Sequence, residues 1–132
     1  MTMKFVIDPV DDILVKGPCA AVAYARRTNG KRPAFDYIEN LEKEDWAKLL
    51  KSFTKIAEVG RIWNTERFRK LGGRTGKIWE FKVHPKVRVL CFRHGKIWFL
   101  THGFDKETDK TPPEEISRAE QIMKEHFTQF KT

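Results

Sequence analysis

No stretch of this 132-residue chain is apolar for anything near the ~20 residues that a membrane-spanning helix needs. The apolar start around Phe5–Ile7 is too short for a secretory signal. Cysteine is scarce: Cys19 and Cys91 lie far apart, which rules out a disulfide framework and matches no metal-ligand spacing. The four histidines, His84, His94, His102 and His126, show neither HxxxH nor HxH spacing, so no metal site and no cofactor are expected. A Walker loop, a GxSxG elbow and a dinucleotide fingerprint are all missing. No segment repeats and none is of low complexity. These absences leave a cytoplasmic protein of a reducing compartment as the expectation, with no membrane partner.

What the chain does have is localised charge. Thirteen Lys and Arg and five Asp and Glu fall between Arg61 and Lys110, leaving thirteen of each sign elsewhere, so the whole net charge of +8 sits in one continuous third of the sequence. Charge gathered in this way raises the local potential and favours a phosphate-rich ligand. The alternative is a solvated basic face, ordinary at a pI near 9.6. The aromatic share of 12%, with ten Phe and four Trp, supplies both core and possible base-stacking rings.

Patterning predicts an α+β domain. Lys77–Val83, Val87–Arg93 and Lys96–Phe104 read as three short strands, separated by the His84-Pro85 break and the His94-Gly95 turn, in an antiparallel meander. Upstream, Met3–Ile7, Ile13–Val15 and Ala20–Arg26 read as extended pieces. Pro33 opens a helix through Phe35, Ile38 and Leu41. Trp46, Leu49, Leu50, Phe53, Ile56 and Ala57 mark a longer helix over Glu44–Val59, with Gly60 at its C-terminal cap. Arg61–Gly76 reads as a mobile basic connector. Thr111 is the expected N-cap of the last helix, with Glu114 completing a capping box.

Strand alternation puts Trp79, Phe81 and Val83 on one face and Glu80 and Lys82 on the other. It sets Val87, Val89 and Cys91 against Arg88, Leu90 and Phe92, and Trp98, Leu100, His102 and Phe104 against Ile97, Phe99 and Thr101. Glu80, Lys82 and Arg88 are expected on the less buried side, so that truncating Arg88 should leave folding intact. His102 is placed at its strand exit, near Lys106 and Lys110. Metal-free RNA cleavage needs a base for the 2′-hydroxyl, a cation for the phosphorane and an acid for the leaving oxygen. His102 has a fitting pKa and Arg88 a fork suited to phosphate. Glu80 is either a base or the residue that orients Arg88. Equally open is a purely structural reading, with Glu80 neutralising a neighbour and His102 bonded to backbone. Arg74, Lys77 and Arg93 are expected phosphate contacts from the charge map.

The ordered set Ile78-Trp79-Glu80-Phe81-Lys82, Val87-Arg88-Val89-Leu90, Phe99-Leu100-Thr101-His102-Gly103-Phe104 and Lys110-Thr111-Pro112 resembles the phage-derived HigB-type toxins of the RelE/ParE superfamily. The resemblance runs over about residues 20–127 and includes Gly30-Lys31-Arg32-Pro33 with Phe35-Asp36-Tyr37-Ile38. It implies a RelE-like fold: a small antiparallel sheet, an N-terminal helical hairpin and a C-terminal helix. It implies a toxin of a type II toxin–antitoxin pair, a ribosome-dependent mRNA endonuclease that attacks through the 2′-hydroxyl without metal, and a cognate helix-turn-helix antitoxin. By position it assigns Arg88, Glu80 and His102 to catalysis, and Lys82, Lys106 and Lys110 to RNA contact. The chain departs from the family where Glu107 follows Lys106 and where Asp105 and Asp109 dilute the basic link. Residues 1–18 have no counterpart and are set apart as an extension from a 19–132 toxin domain. ParE-type relatives act on DNA gyrase instead of mRNA, so a gyrase inhibitor is one alternative function and a non-enzymatic nucleic-acid-binding module another.

Overall fold

The meander expected between Lys77 and Phe104 forms the middle of a larger sheet. The structure, a computed structural model, describes residues 12–129; the strand expected at Met3–Ile7 lies outside them. Among the described residues the strands are β1 (Ile13–Lys16), β2 (Ala21–Tyr24), β3 (Phe68–Gly72), β4 (Ile78–Val83), β5 (Val87–His94) and β6 (Ile97–Asp105). The helices are α1 (Pro33–Glu39), α2 (Lys43–Val59) and α3 (Pro113–Gln129). The sheet order is β1-β2-β6-β5-β4-β3. All neighbours are antiparallel except β2 and β6, which run parallel. The fold is therefore α+β, and the alanine-rich run around Ala21–Tyr24 is a strand buried along its whole length.

Both faces of the sheet are covered. One face packs Phe81, Val89, Cys91 and Leu100 against Phe53 and Ile56 of α2 and Ala34 and Ile38 of α1. The other packs Ile78, Leu90, Phe92 and Phe99 against Ala119, Ile122 and Met123 of α3. A strand sandwiched in this way has no exposed side, which is why β5 is buried from Val87 to Phe92. At its C-terminus α2 stops on Gly60, whose φ of 91° satisfies the left-handed cap position and whose N–H reaches the Ile56 carbonyl.

Three expectations need correcting. Arg61–Gly76 is not all connector, because Phe68–Gly72 is an edge strand paired with β4. Only Phe68 is deeply buried there, so the strand lacks the apolar alternation that would reveal it. Thr111 does not cap α3. The helix starts at Pro113, the Pro112 carbonyl accepts the Glu115 N–H, and the Thr111 hydroxyl is turned onto Glu80. Finally, His102 does not share a face with Trp98 and Leu100. Leu90 pairs with His102 but Cys91 pairs with Leu100, so Thr101 is an extra residue in β6. This bulge reverses the alternation beyond it and turns His102 toward α3. The buried Thr101 hydroxyl bonds the Leu90 carbonyl at 3.1 Å beside the interruption.

Past the bulge, Gly103 faces α1. A Cβ there would lie 2.1 Å from the Tyr37 ring, and that ring is fixed by its hydroxyl, which donates to Asp105 Oδ1 at 2.7 Å. Gly103→Ala should cost about 1–3 kcal/mol through overpacking, measured by urea unfolding. Adding Tyr37→Ala should make the alanine nearly neutral. An unchanged midpoint in the single variant would show that α1 yields freely.

Candidate functional site

Glu80 and Arg88 come together, but not on an open surface. They lie directly beneath the link between β6 and α3, at 0% and 2% exposure. Their burial follows from the sheet being covered on both faces, and it corrects the expectation of a less buried side. It also overturns the expectation that Arg88 contributes little to folding. Arg88 Nη1 donates to Glu80 Oε2 at 3.2 Å and to Thr111 Oγ1 at 3.3 Å, and Nη2 donates to the Thr108 carbonyl. The Thr111 hydroxyl donates to Glu80 Oε2 at 2.7 Å.

The remaining carboxylate oxygen is taken by a residue that sequence reasoning missed. Arg69, opposite Glu80 in the β3–β4 register, donates from Nε to Glu80 Oε1 at 3.0 Å. It also bonds the Asp109 carbonyl and Thr111 Oγ1. In the sequence Arg69 falls within the basic connector, and only the β3 strand places it beside Glu80. One buried carboxylate thus accepts from two arginines and a hydroxyl, and the same arginines tie down the backbone of Thr108–Thr111. A buried charge is tolerable only with such complete pairing.

Lys82 lies two pairs further along β4, opposite Arg88 in the register. Its ammonium meets Asp109 Oδ1 at 2.9 Å and holds that carboxyl below its usual range. Asp109, which interrupts the basic link in the sequence, therefore anchors it in the fold.

His102 is 3% exposed and stands against α3. Nε2 lies 3.0 Å from Glu115 Oε1 and Nδ1 lies 3.1 Å from Thr101 Oγ1. Burial lowers the His102 pKa, against the opposing pull of Glu115, so the imidazole is neutral at neutral pH. Neutral imidazole fits this site with Nε2–H donating to the Glu115 carboxylate, while the single Thr101 proton goes to the Leu90 carbonyl and Nδ1 keeps its lone pair. Glu115, in the first turn of α3, was not anticipated; its position three residues into that helix was the available signal. Burial pushes the Cys91 thiol well up, which leaves it unreactive.

The other expected phosphate contacts differ from Lys82. Arg74, Lys77, Arg93 and Lys110 are exposed and Lys106 is half-buried, and no acid partners any of them among the described residues. Arg88, Glu80 and His102 are thus brought inside, and five of the six outer cations are left unneutralised.

An α+β domain with a meander sheet, a helical hairpin on one face and a helix on the other has the architecture of the RelE-like fold. Residues 36–124 match the phage-derived Gp49-like proteins (DUF891), and the chain belongs to that family. It is a family of toxin–antitoxin toxins in the RelE/HigB class, which implies an antitoxin partner. No curated protein matches the chain. No helix among the described residues is long and apolar enough to cross a membrane.

Proposed function

We propose that this chain is the toxin of a toxin–antitoxin pair and cleaves mRNA on the ribosome, by metal-independent attack of the 2′-hydroxyl, until a cognate helix-turn-helix antitoxin covers it. The observation that carries this reading is the set of unneutralised cations, Arg74, Lys77, Arg93, Lys106 and Lys110, on a fold of this toxin family. Cations without counter-charges are available to phosphates; the internally paired ones are not. In this reading Glu80 is a positioning residue that holds the Arg88 fork. Displacing the Thr108–Thr111 segment frees Arg88 Nη2 and one Nη1 proton, the other staying on Glu80, for the charge that develops at the scissile phosphate. His102, neutral and with Nε2–H held by Glu115, takes the 2′-hydroxyl proton at Nδ1, and water protonates the departing 5′-oxygen.

A gyrase-directed inhibitor is the second reading, favoured by one observation: Glu80, Arg88 and His102 are all buried. Induced expression with primer-extension mapping separates the two. Cleavage within translated messages, concurrent with growth arrest, is the expected result. Arrest with intact messages, loss of supercoiling and a DNA-damage response would replace the nuclease by the inhibitor. Normal growth at full expression would remove both.

A further inference from the structure

Beyond the end of α2 a groove of about 500 Å³ opens over the sheet. Its composition departs from the rest of the surface. Arg61, Lys70, Lys77 and Arg93 line it, together with three of the four tryptophans, and no acidic residue does. None of these four cations has an acid partner among the described residues. This contrasts with Arg69, Lys82 and Arg88, a few ångströms of strand away, which are all ion-paired. The basic third of the chain is thus divided. One set of cations is consumed internally, and another is left facing a cleft.

The rings are arranged as a graded platform. Trp98 is buried and forms the floor, edge-on to Trp79 at 5.6 Å. Trp79 is half-buried, and Phe68 backs it in a stacked pair at 4.9 Å. Lys70 stands directly opposite Trp79 in the β3–β4 register, and Arg93 opposite Trp98 in β5–β6. Above them Trp63 is 74% exposed, with the Arg61 guanidinium 4.3 Å from its ring centroid. Leaving an indole in water is unfavourable by the apolar area it exposes. Holding it beside unpaired cations gives a flat face flanked by positive charge. That is the combination by which proteins bind single-stranded nucleic acid: stacking for the bases and charge for the backbone. An acidic peptide would satisfy the cations but would leave the indole faces unused.

We infer that this groove is a single-stranded RNA subsite, separate from the Glu80–Arg88–His102 cluster, in which a base stacks on Trp63 or Trp79 and the adjoining phosphates meet Arg61, Lys70, Lys77 and Arg93. The inference deepens the mRNA reading and rests on it for the choice of RNA. It adds a gripping site outside the chemistry, one that fixes which nucleotides near the cut are held.

Binding to purified full-length protein tests it, with no requirement for cleavage. Anisotropy of a labelled oligouridylate of roughly ten nucleotides should show saturable binding. Trp63→Ala should weaken it roughly ten-fold or more, and Trp63→Phe should restore most of the affinity. Lys70→Gln and Arg93→Gln should each reduce the slope of log K against log salt by about 0.7. Circular dichroism melts keep a folding defect apart, and Trp63 is too exposed for its loss to unfold the chain. Equal affinity of Trp63→Ala, or an abasic strand that binds as tightly as oligouridylate, would overturn the inference. So would polyglutamate that binds as tightly and with the same dependence on Trp63, which would assign the groove to an acidic peptide. If the wild-type chain cleaves mRNA but fails these tests, the groove is wrong and the function stands. If it binds as expected but spares mRNA, the function is wrong and the subsite stands.

Discussion

Glu80→Ala should destabilise the fold by ~3–5 kcal/mol, the usual consequence of stripping one partner from a buried ion pair. The substitution removes the counter-charge from Arg88, which is 2% exposed, and from Arg69, and it leaves the Thr111 hydroxyl without its acceptor. Arg88→Ala should cost less, because Glu80 keeps Arg69 and Thr111. Glu80→Gln should lie between, since it preserves shape and one acceptor oxygen. Urea unfolding at pH 7 measures all three, and a double-mutant cycle on Glu80 and Arg88 should return a coupling above ~0.5 kcal/mol. A Glu80→Ala protein within about 1 kcal/mol of the wild type would mean that water enters readily and the network is not dry. The same numbers govern any activity assay. Loss of toxicity in an Arg88 variant carries catalytic meaning only where the variant remains folded.

Acid should weaken the fold through His126. This side chain is buried among Phe92, Phe99 and Phe127, and its Nδ1 accepts the backbone N–H of Arg26 at 3.1 Å. Burial lowers its pKa from 6.5 to about 4; Asp12 pulls it back up, while His94 and Arg26 push it further down. The sign follows. The unfolded chain binds the proton first, so stability is full above pH 6.5 and drains away as pH falls toward 4. The gap corresponds to roughly 3 kcal/mol. His102, whose pKa is lowered in the same direction, adds to the effect. His126→Phe keeps the ring but cannot be protonated, so its stability should change less between pH 7 and pH 4.5. Identical acid slopes in chemical unfolding of the two proteins would place the sensitive group elsewhere.

Some of this architecture is readable from the residues and some is not, for identifiable reasons. The period-3.6 apolar stripe over Trp46–Ala57 and the three strand runs after Lys77 depend only on local pattern; the helix and the strands form where expected, with the third run's alternation holding only as far as Leu100. β3 is an edge strand held by Phe68 and by main-chain bonds to β4, and such a strand needs no alternation. The Thr101 bulge leaves no trace in a sequence read two residues at a time, yet it decides which layer His102 faces. Charge alone points Glu80 and Arg88 outward. Leu90, Phe92 and Phe99 on the same face argued otherwise, since an apolar far side means a second covering helix. Arg69, Thr111 and Glu115 belong to the cluster through contacts across 11 to 42 positions of sequence, which local spacing does not encode.

The parallel seam between β2 and β6 sets an order on biosynthesis. β2 ends at Tyr24, and the strand it must lie against begins at Ile97. A nascent chain therefore holds β1, β2 and the helical hairpin with one sheet edge unfilled until β6 has been made. Long-range pairing of this kind forms late and slowly. The tryptophan groove is incomplete before that moment because its floor, Trp98, lies on β6, and the carboxylate cluster is incomplete because Thr108 and Thr111 follow β6 in the chain.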